Sequence, residues 1–158
     1  MKTIKPTYVT FNQAKLLKEN GFDELCSLHW EWGNGDKKHN RLPALFIGGF
    51  VDEDGNNRKY RNSELMKDYS ENGDLFGEFS APEQWQVIEW IELMYQKYVY
   101  AFRYNGIWQY KIDAEHGCDY FSKGEGYTSK KEAYSAAFDY FLSTFLITFN
   151  VNLKNEKN

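Results

Sequence analysis

The feature that most constrains this chain is Asn105-Gly106, which sits between two strand-like runs, residues 97–104 and 107–113. A two-residue type I′ turn needs positive φ at both central positions, and Asn followed by Gly meets that need with little strain. So short a loop also fixes register. Tyr104 must face Ile107, Arg103 Trp108, Phe102 Gln109, Ala101 Tyr110, Tyr100 Lys111 and Val99 Ile112. One face then collects Val99, Ala101, Trp108, Tyr110 and Ile112, which reads as core. The other collects Tyr98, Tyr100, Phe102 and Tyr104 among Ile107, Gln109, Lys111 and Asp113, an aromatic row interleaved with polar groups.

The rest of the chain supplies partners for this hairpin. Thr10-Phe11-Asn12-Gln13 has the form of a capping box, and Gly21 supplies a left-handed stop, so a helix is expected over residues 11–20 with Phe11, Ala14 and Leu17 on its packing face. Residues 26–32 alternate, placing Cys26, Leu28, Trp30 and Trp32 opposite Ser27, His29 and Glu31. The apolar run 42–51 reads as a second and more central strand, with a bulge or bend at Gly48-Gly49. Residues 52–57 are turn chemistry, and residues 58–77 read as a loop with one short element near Leu65-Met66.

Ser80-Ala81-Pro82-Glu83 has the form of a second capping box, opening a helix over residues 82–96. Trp85, Ile88, Ile91 and Tyr95 form its packing stripe, widened by Val87, Trp90 and Met94. Its polar edge carries Glu83, Glu89 and Glu92, with no cation before Lys97. Residues 116–127 read as a loop with a short third strand near residues 119–122. Ser129-Lys130-Lys131-Glu132 is a third capping box, starting a helix over residues 130–145 that packs through Ala133, Ala136, Ala137, Tyr140, Phe141 and Phe145.

The order is helix, strands, helix, hairpin, helix: an α+β single domain over residues 1–150 with a mainly antiparallel sheet and three helices. Residues 10–55 and 80–146 form two possible similar halves, and residues 151–158 are expected to fray.

Charge narrows the function classes. The net charge of −4 divides evenly, −2 over residues 1–80 and −2 over residues 81–158. That evenness leaves no basic arm or stripe, so direct binding to nucleic acid is not expected. The chain is 18% aromatic, with Trp 5, Tyr 12 and Phe 12 against only Pro 3 and Cys 2. No window approaches the ~18 unbroken apolar residues of a membrane span. Residues 1–10 do not form a signal peptide, so no membrane partner and a cytoplasmic setting are expected, with Cys26 and Cys118 reduced.

The chemistry-bearing residue types do not assemble by spacing. Cys26-x-x-His29 and His116-x-Cys118 offer two thiolates and two imidazoles, the ligand types of structural zinc. On an alternating strand, however, Cys26 and His29 point to opposite faces, and His29 is then a solvated strand residue. The acidic run at Asp52 places Asn57 where a calcium loop needs Gly. There is no Gly-rich phosphate loop, nucleophile elbow or spaced carboxylate pair, so neither an enzyme nor a cofactor or metal is expected.

Two resemblances add expectations. Gly124-Glu125-Gly126 leading into Lys130-Lys131, followed by Ala136-Ala137, resembles the junction of a double-stranded RNA-binding domain, and that resemblance implies phosphate contacts by Lys130 and Lys131. It departs from the family by one extra residue before the lysines, by Tyr134 at the place of a third cation, and by neutral local charge. The sets Thr10-Phe11-x-Gln13-Ala14-Lys15-Leu16-Leu17, Ser80-Ala81-Pro82-Glu83-Gln84-Trp85-Gln86-Val87-Ile88-Glu89-Trp90 and Ser129-x-x-Glu132-Ala133-Tyr134-Ser135-Ala136-Ala137-Phe138 together resemble short phage and prophage proteins of Bacteroidetes. That resemblance implies a small accessory protein inside a bacterial host cell, and brings no catalytic residues with it. The leading expectation is a non-enzymatic protein-binding module whose partner is a host or phage protein, with inhibition of a host defence system, of anti-CRISPR or anti-restriction type, as a subclass. Tyr100, Phe102, Tyr104, Glu89 and Glu92 are its candidate contacts. The alternative is double-stranded RNA binding through Lys130 and Lys131, and a distant third is an enzyme or zinc protein using the His and Cys residues.

Overall fold

The computed structural model describes residues 7–34, 40–47, 59, 61–63, 65, 69–71, 74–114, 117–121 and 126–146. The architecture is α+β, and the chain divides into two compact units, Met1–Glu83 and Gln84–Asn158.

The first unit holds α1 (Phe11–Glu19), β1 (Leu28–Asn34), β2 (Asn40–Ile47), β3 (Tyr69–Glu71) and β4 (Asp74–Ser80). The α1 start is the expected capping box: Thr10 Oγ1 accepts from the Gln13 amide at 3.3 Å while the Thr10 amide donates to Gln13 Oε1 at 3.0 Å. Such a cap stabilises by about 1 kcal/mol. At the other end Gly21, at φ +86°, donates to Lys18 O and Phe22 to Leu17 O. This is the Schellman pattern, and it folds Phe22 back so that it and Leu17 are both buried. Phe11 meets the rings of Trp30 and Phe79 edge-on, 6.2 and 5.5 Å between centroids, which seats α1 on the β1/β4 face.

The sheet order is β2-β1-β4-β3, all antiparallel. The apolar strand β2 is therefore at the edge and not central, a position that suits Pro43, which has no N–H to give to a second neighbouring strand. Its irregularity also differs from expectation. Glu31 faces Ala44 and Gly33 faces Arg41, so Trp32 is opposed by two residues, Leu42 and Pro43. The expected bend at Gly48-Gly49 and the turn at 52–57 lie outside the described residues.

The central strands are β1 and β4, and β4 falls largely in the stretch read as a loop. That stretch is tied in by side chains. Asn62, buried, donates to Phe22 O at 2.7 Å and accepts from the Ser80 amide at 2.8 Å, while Asp23 accepts from both the amide and the hydroxyl of Ser63. Ser80 itself pairs with His29 and ends β4. The capping box expected at Ser80–Glu83 is not formed: the Ser80 amide is taken by Asn62, and Pro82 holds Ala81 extended. His29 is buried and not solvated, because β1 is interior to the sheet, and Leu28 beside it is buried as well. Ser27 is a bend and β1 begins at Leu28, so strand alternation does not extend to Cys26, and the opposite-face argument for Cys26 and His29 loses its basis.

The second unit runs α2 (Gln84–Tyr95), β5 (Lys97–Tyr104), β6 (Ile107–Ala114), β7 (Gly117–Phe121) and α3 (Lys130–Tyr140), the last continuing as a π-helical turn, Phe141–Phe145. Gln96, at φ 52°, gives the sharp exit from α2 into β5. The sheet order is β5-β6-β7, with α2 packed along β5 and α3 across β6 and β5. The core includes Val87, Trp90 and Ile91 from α2, Val99, Tyr110 and Ile112 from the sheet, and Ala133, Ala137, Phe138, Phe141, Leu142 and Leu146 from the last helix. The helix start is fixed by Gln84 Nε2, which donates to Lys131 O at 3.1 Å.

The expected packing faces of α2 and of the last helix need correcting. Trp85 and Met94 are exposed and do not pack, since α2 is apolar on most of its circumference and the sheet takes the arc of Gln84, Val87 and Ile91. Ala136 and Tyr140 are only partly covered, whereas Phe138 and Leu142, both unforeseen, are buried. The wide turn, in which the Leu146 amide donates to Phe141 O, lets Phe141, Leu142 and Leu146 all reach the core.

Candidate partner-binding surface

The hairpin register matches expectation at every position, from Tyr104↔Ile107 to Val99↔Ile112, and extends to Tyr98↔Asp113 and Lys97↔Ala114. Asn105 and Gly106 have φ 47° and 85°, the two positive values that a type I′ turn requires. The two faces then separate as side chains alternate. Val99, Tyr110 and Ile112 are buried beneath the helices. On the opposite face Tyr98, Tyr100, Tyr104 and Ile107 keep 38, 39, 60 and 41% of their surface accessible, and Phe102 is partly covered.

Polar groups hold this face in place. The Tyr100 hydroxyl donates to Asp113 Oδ2, the same oxygen that pairs with Lys111 Nζ at 2.8 Å. The Lys111 ammonium also lies 5.8 Å from the centroid of the Tyr100 ring. One carboxylate thus ties down the tip of Tyr100 and the cation over its ring, which limits the rotamer entropy that binding would otherwise cost. Arg103 Nε donates to Gly106 O at 3.1 Å and braces the turn. On the outer side of β6, Trp108 and Tyr127 exchange both backbone bonds, at 3.1 and 2.8 Å. Gly126 passes so close there that an added Cβ would lie 2.8 Å from Ile107 Cδ1.

Tyr100, Phe102 and Tyr104 are therefore brought together, with Tyr98, Ile107, Lys111 and Asp113 joining them. Glu89 and Glu92 are exposed on α2, in the helical layer that covers the other side of the sheet. The row and the acidic edge are two surfaces and not one. Lys130 and Lys131 are exposed at the α3 start, where Ser129 Oγ accepts from the Glu132 amide and Lys130 Nζ lies 5.6 Å from the Tyr134 ring. Glu132 Oε2 accepts from the amide and hydroxyl of Thr128, at 2.9 and 2.6 Å, and these bonds hold its carboxyl below the ordinary range.

The thiol chemistry is subdued. Burial pushes Cys26 up to about 11, with the Ser80 side chain beside it partly countering the shift, so the group is a neutral thiol at physiological pH and a poor nucleophile. Burial also raises Tyr95, and Tyr8 is raised by burial and then by Glu83. Among the described residues no three His, Cys, Asp or Glu side chains gather as a metal site, and His116 lies outside them. No helix among the described residues is long and apolar enough to cross a membrane. Compared with known proteins, the chain matches no family model, no curated protein and no solved structure.

Proposed function

We propose that this chain is a non-enzymatic protein-binding module, a small phage or mobile-element accessory protein that engages a host or phage protein in the bacterial cytoplasm through the open face of β5 and β6. Blocking a host defence nuclease is the subclass this reading favours. The observation that carries it is the row of accessible rings at Tyr98, Tyr100 and Tyr104, on a face that the unit's own helices leave uncovered. Tyr combines a large contact area with few rotatable bonds and a polar tip, which suits recognition of another protein. The test is affinity purification of the chain from host cells, with mass spectrometry, beside a Tyr104→Ala variant of measured stability. A partner captured by the parent and lost by an equally stable variant supports the reading; equal capture by both refutes the site.

A second reading has one observation in its favour. The second unit runs helix, three antiparallel strands, helix, with Lys130 and Lys131 exposed at the start of the second helix. Double-stranded RNA retarded in a gel shift, weakening steeply with salt and released by Lys130→Ala with Lys131→Ala, would replace the protein-binding reading.

A further inference from the structure

The outward arc of α2 is a second surface, separate from the sheet face. At ~100° per residue, Trp85, Glu89, Glu92 and Leu93 fall within one sector of about 100°, opposite the buried sector of Gln84, Val87 and Ile91. Trp85 keeps 53% and Leu93 81% of its surface accessible, and both carboxylates are exposed. The helix contains no Lys or Arg to neutralise them. Two large apolar groups eight residues apart, with acids between and beside them, match a helix that presents apolar groups one and two turns apart flanked by cations.

We infer that this arc docks a basic amphipathic helix of a partner protein. Charge decides the class. An uncharged apolar segment seated on Trp85 and Leu93 would strip water from Glu89 and Glu92 without replacing it, whereas Lys or Arg beside the apolar groups would pair with both carboxylates. Nucleic acid and anionic lipid are repelled by the same two charges. This inference stands apart from the sheet-face reading, because it uses none of the hairpin residues.

The experiment uses the full chain and a synthetic Leu/Lys peptide patterned as an amphipathic helix, with a scrambled Leu/Lys peptide and a Leu/Glu peptide as controls. Titration is followed by amide and indole resonances. The patterned Leu/Lys peptide is expected to shift resonances of residues 84–96, including the Trp85 indole, while the two controls leave them in place. Affinity is expected to fall by about tenfold or more in Glu89→Lys with Glu92→Lys and again in Leu93→Ser, and to stay unchanged in Tyr104→Ala. All of these positions are exposed, and well-dispersed spectra of each variant verify the fold. Equal binding of the scrambled peptide, or binding unaffected by Leu93→Ser, would overturn the inference. Shifts centred on residues 98–113 would also overturn it, and would move the peptide site to the sheet.

Discussion

Asn105-Gly106 lies between β5 and β6, which pair over eight positions; Asn72-Gly73 lies between β3 and β4, which pair over three, from Tyr69↔Phe76 to Glu71↔Asp74. The same dipeptide thus stands between two very different ladders. Beyond Phe76, β4 continues without β3, and its residues 77–80 pair with β1, as Leu75 and Phe76 do on their other side. The difference teaches that a turn sets register, while the length and worth of a ladder come from what the strands bury. β5 and β6 carry their own buried face in Val99, Tyr110 and Ile112, whereas β4 is secured by β1, by Asn62 and by Phe11 over Phe79.

Breaking each hairpin at its buried side should produce the largest effects. Phe79→Ala and Ile112→Ala are each expected to lower the unfolding free energy by about 2–5 kcal/mol in urea titrations, through lost burial and the cavity left behind. A loss under about 1 kcal/mol for Phe79→Ala would mean that α1 does not secure β4 as argued. Next come the turn positions of the longer hairpin. Asn105→Val and Gly106→Ala force residues with a Cβ penalty into positive φ and should each cost about 1 kcal/mol or somewhat more.

Gly126→Ala tests what holds the far side of β6. Its methyl would press on Ile107, so a cost of about 1 kcal/mol is expected, with faster hydrogen exchange at the Trp108 and Tyr127 amides. Tyr104→Ala should sharpen the contrast between the two faces by changing stability less than about 0.5–1 kcal/mol, because the ring is mostly exposed. A loss of several kcal/mol would show the row to be core and remove it as a binding face.

The smallest effect is at the α3 start. Glu132 is lowered from its ordinary value of 4.5 by its bonds to Thr128. A carboxyl lower in the folded than in the unfolded chain stabilises above the unfolded value, and that contribution is lost as pH falls through the folded value. The protection factors of the Thr128 and Ser129 amides, with the intrinsic pH dependence of exchange divided out, should therefore fall on acidification below 4.5 in the parent and stay constant over that range in Glu132→Gln.

Asn72-Gly73 does not read as a hairpin in the sequence, for a physical reason. Around Asn105-Gly106 the flanks are strand-like over residues 97–104 and 107–113, so turn and strand signals agree; around Asn72-Gly73 only Tyr69, Ser70 and Glu71 precede it, too few and too polar to declare a strand. The same limit explains Ser80-Ala81-Pro82-Glu83. Its residues fit a cap, yet the amide that such a cap would use is claimed by Asn62 eighteen positions away, and local sequence carries no record of that partner. For α2, apolar residues on nearly all sides left the period silent on which arc would be buried, so exposed Trp85 and Leu93 were not distinguishable from core. The candidate face fared better, because Tyr100, Phe102 and Tyr104 follow from register alone. Their polar companions Lys111 and Asp113 were on the same predicted face, but not their joint hold on Tyr100.

What the sequence determined by itself was local. The capping box and left-handed stop of α1, the Ser129 cap, and the turn, register and two faces of β5 and β6 each follow from interactions within a few residues or across one tight turn. The tertiary structure decided which face each element shows to a distant neighbour: β4 rather than β2 in the centre, His29 buried, Trp85 turned outward and the aromatic row left open. The reason is that local geometry depends on dihedral preferences and near hydrogen bonds, whereas burial depends on competition among apolar surfaces far apart in the chain, and several faces here were apolar enough to compete.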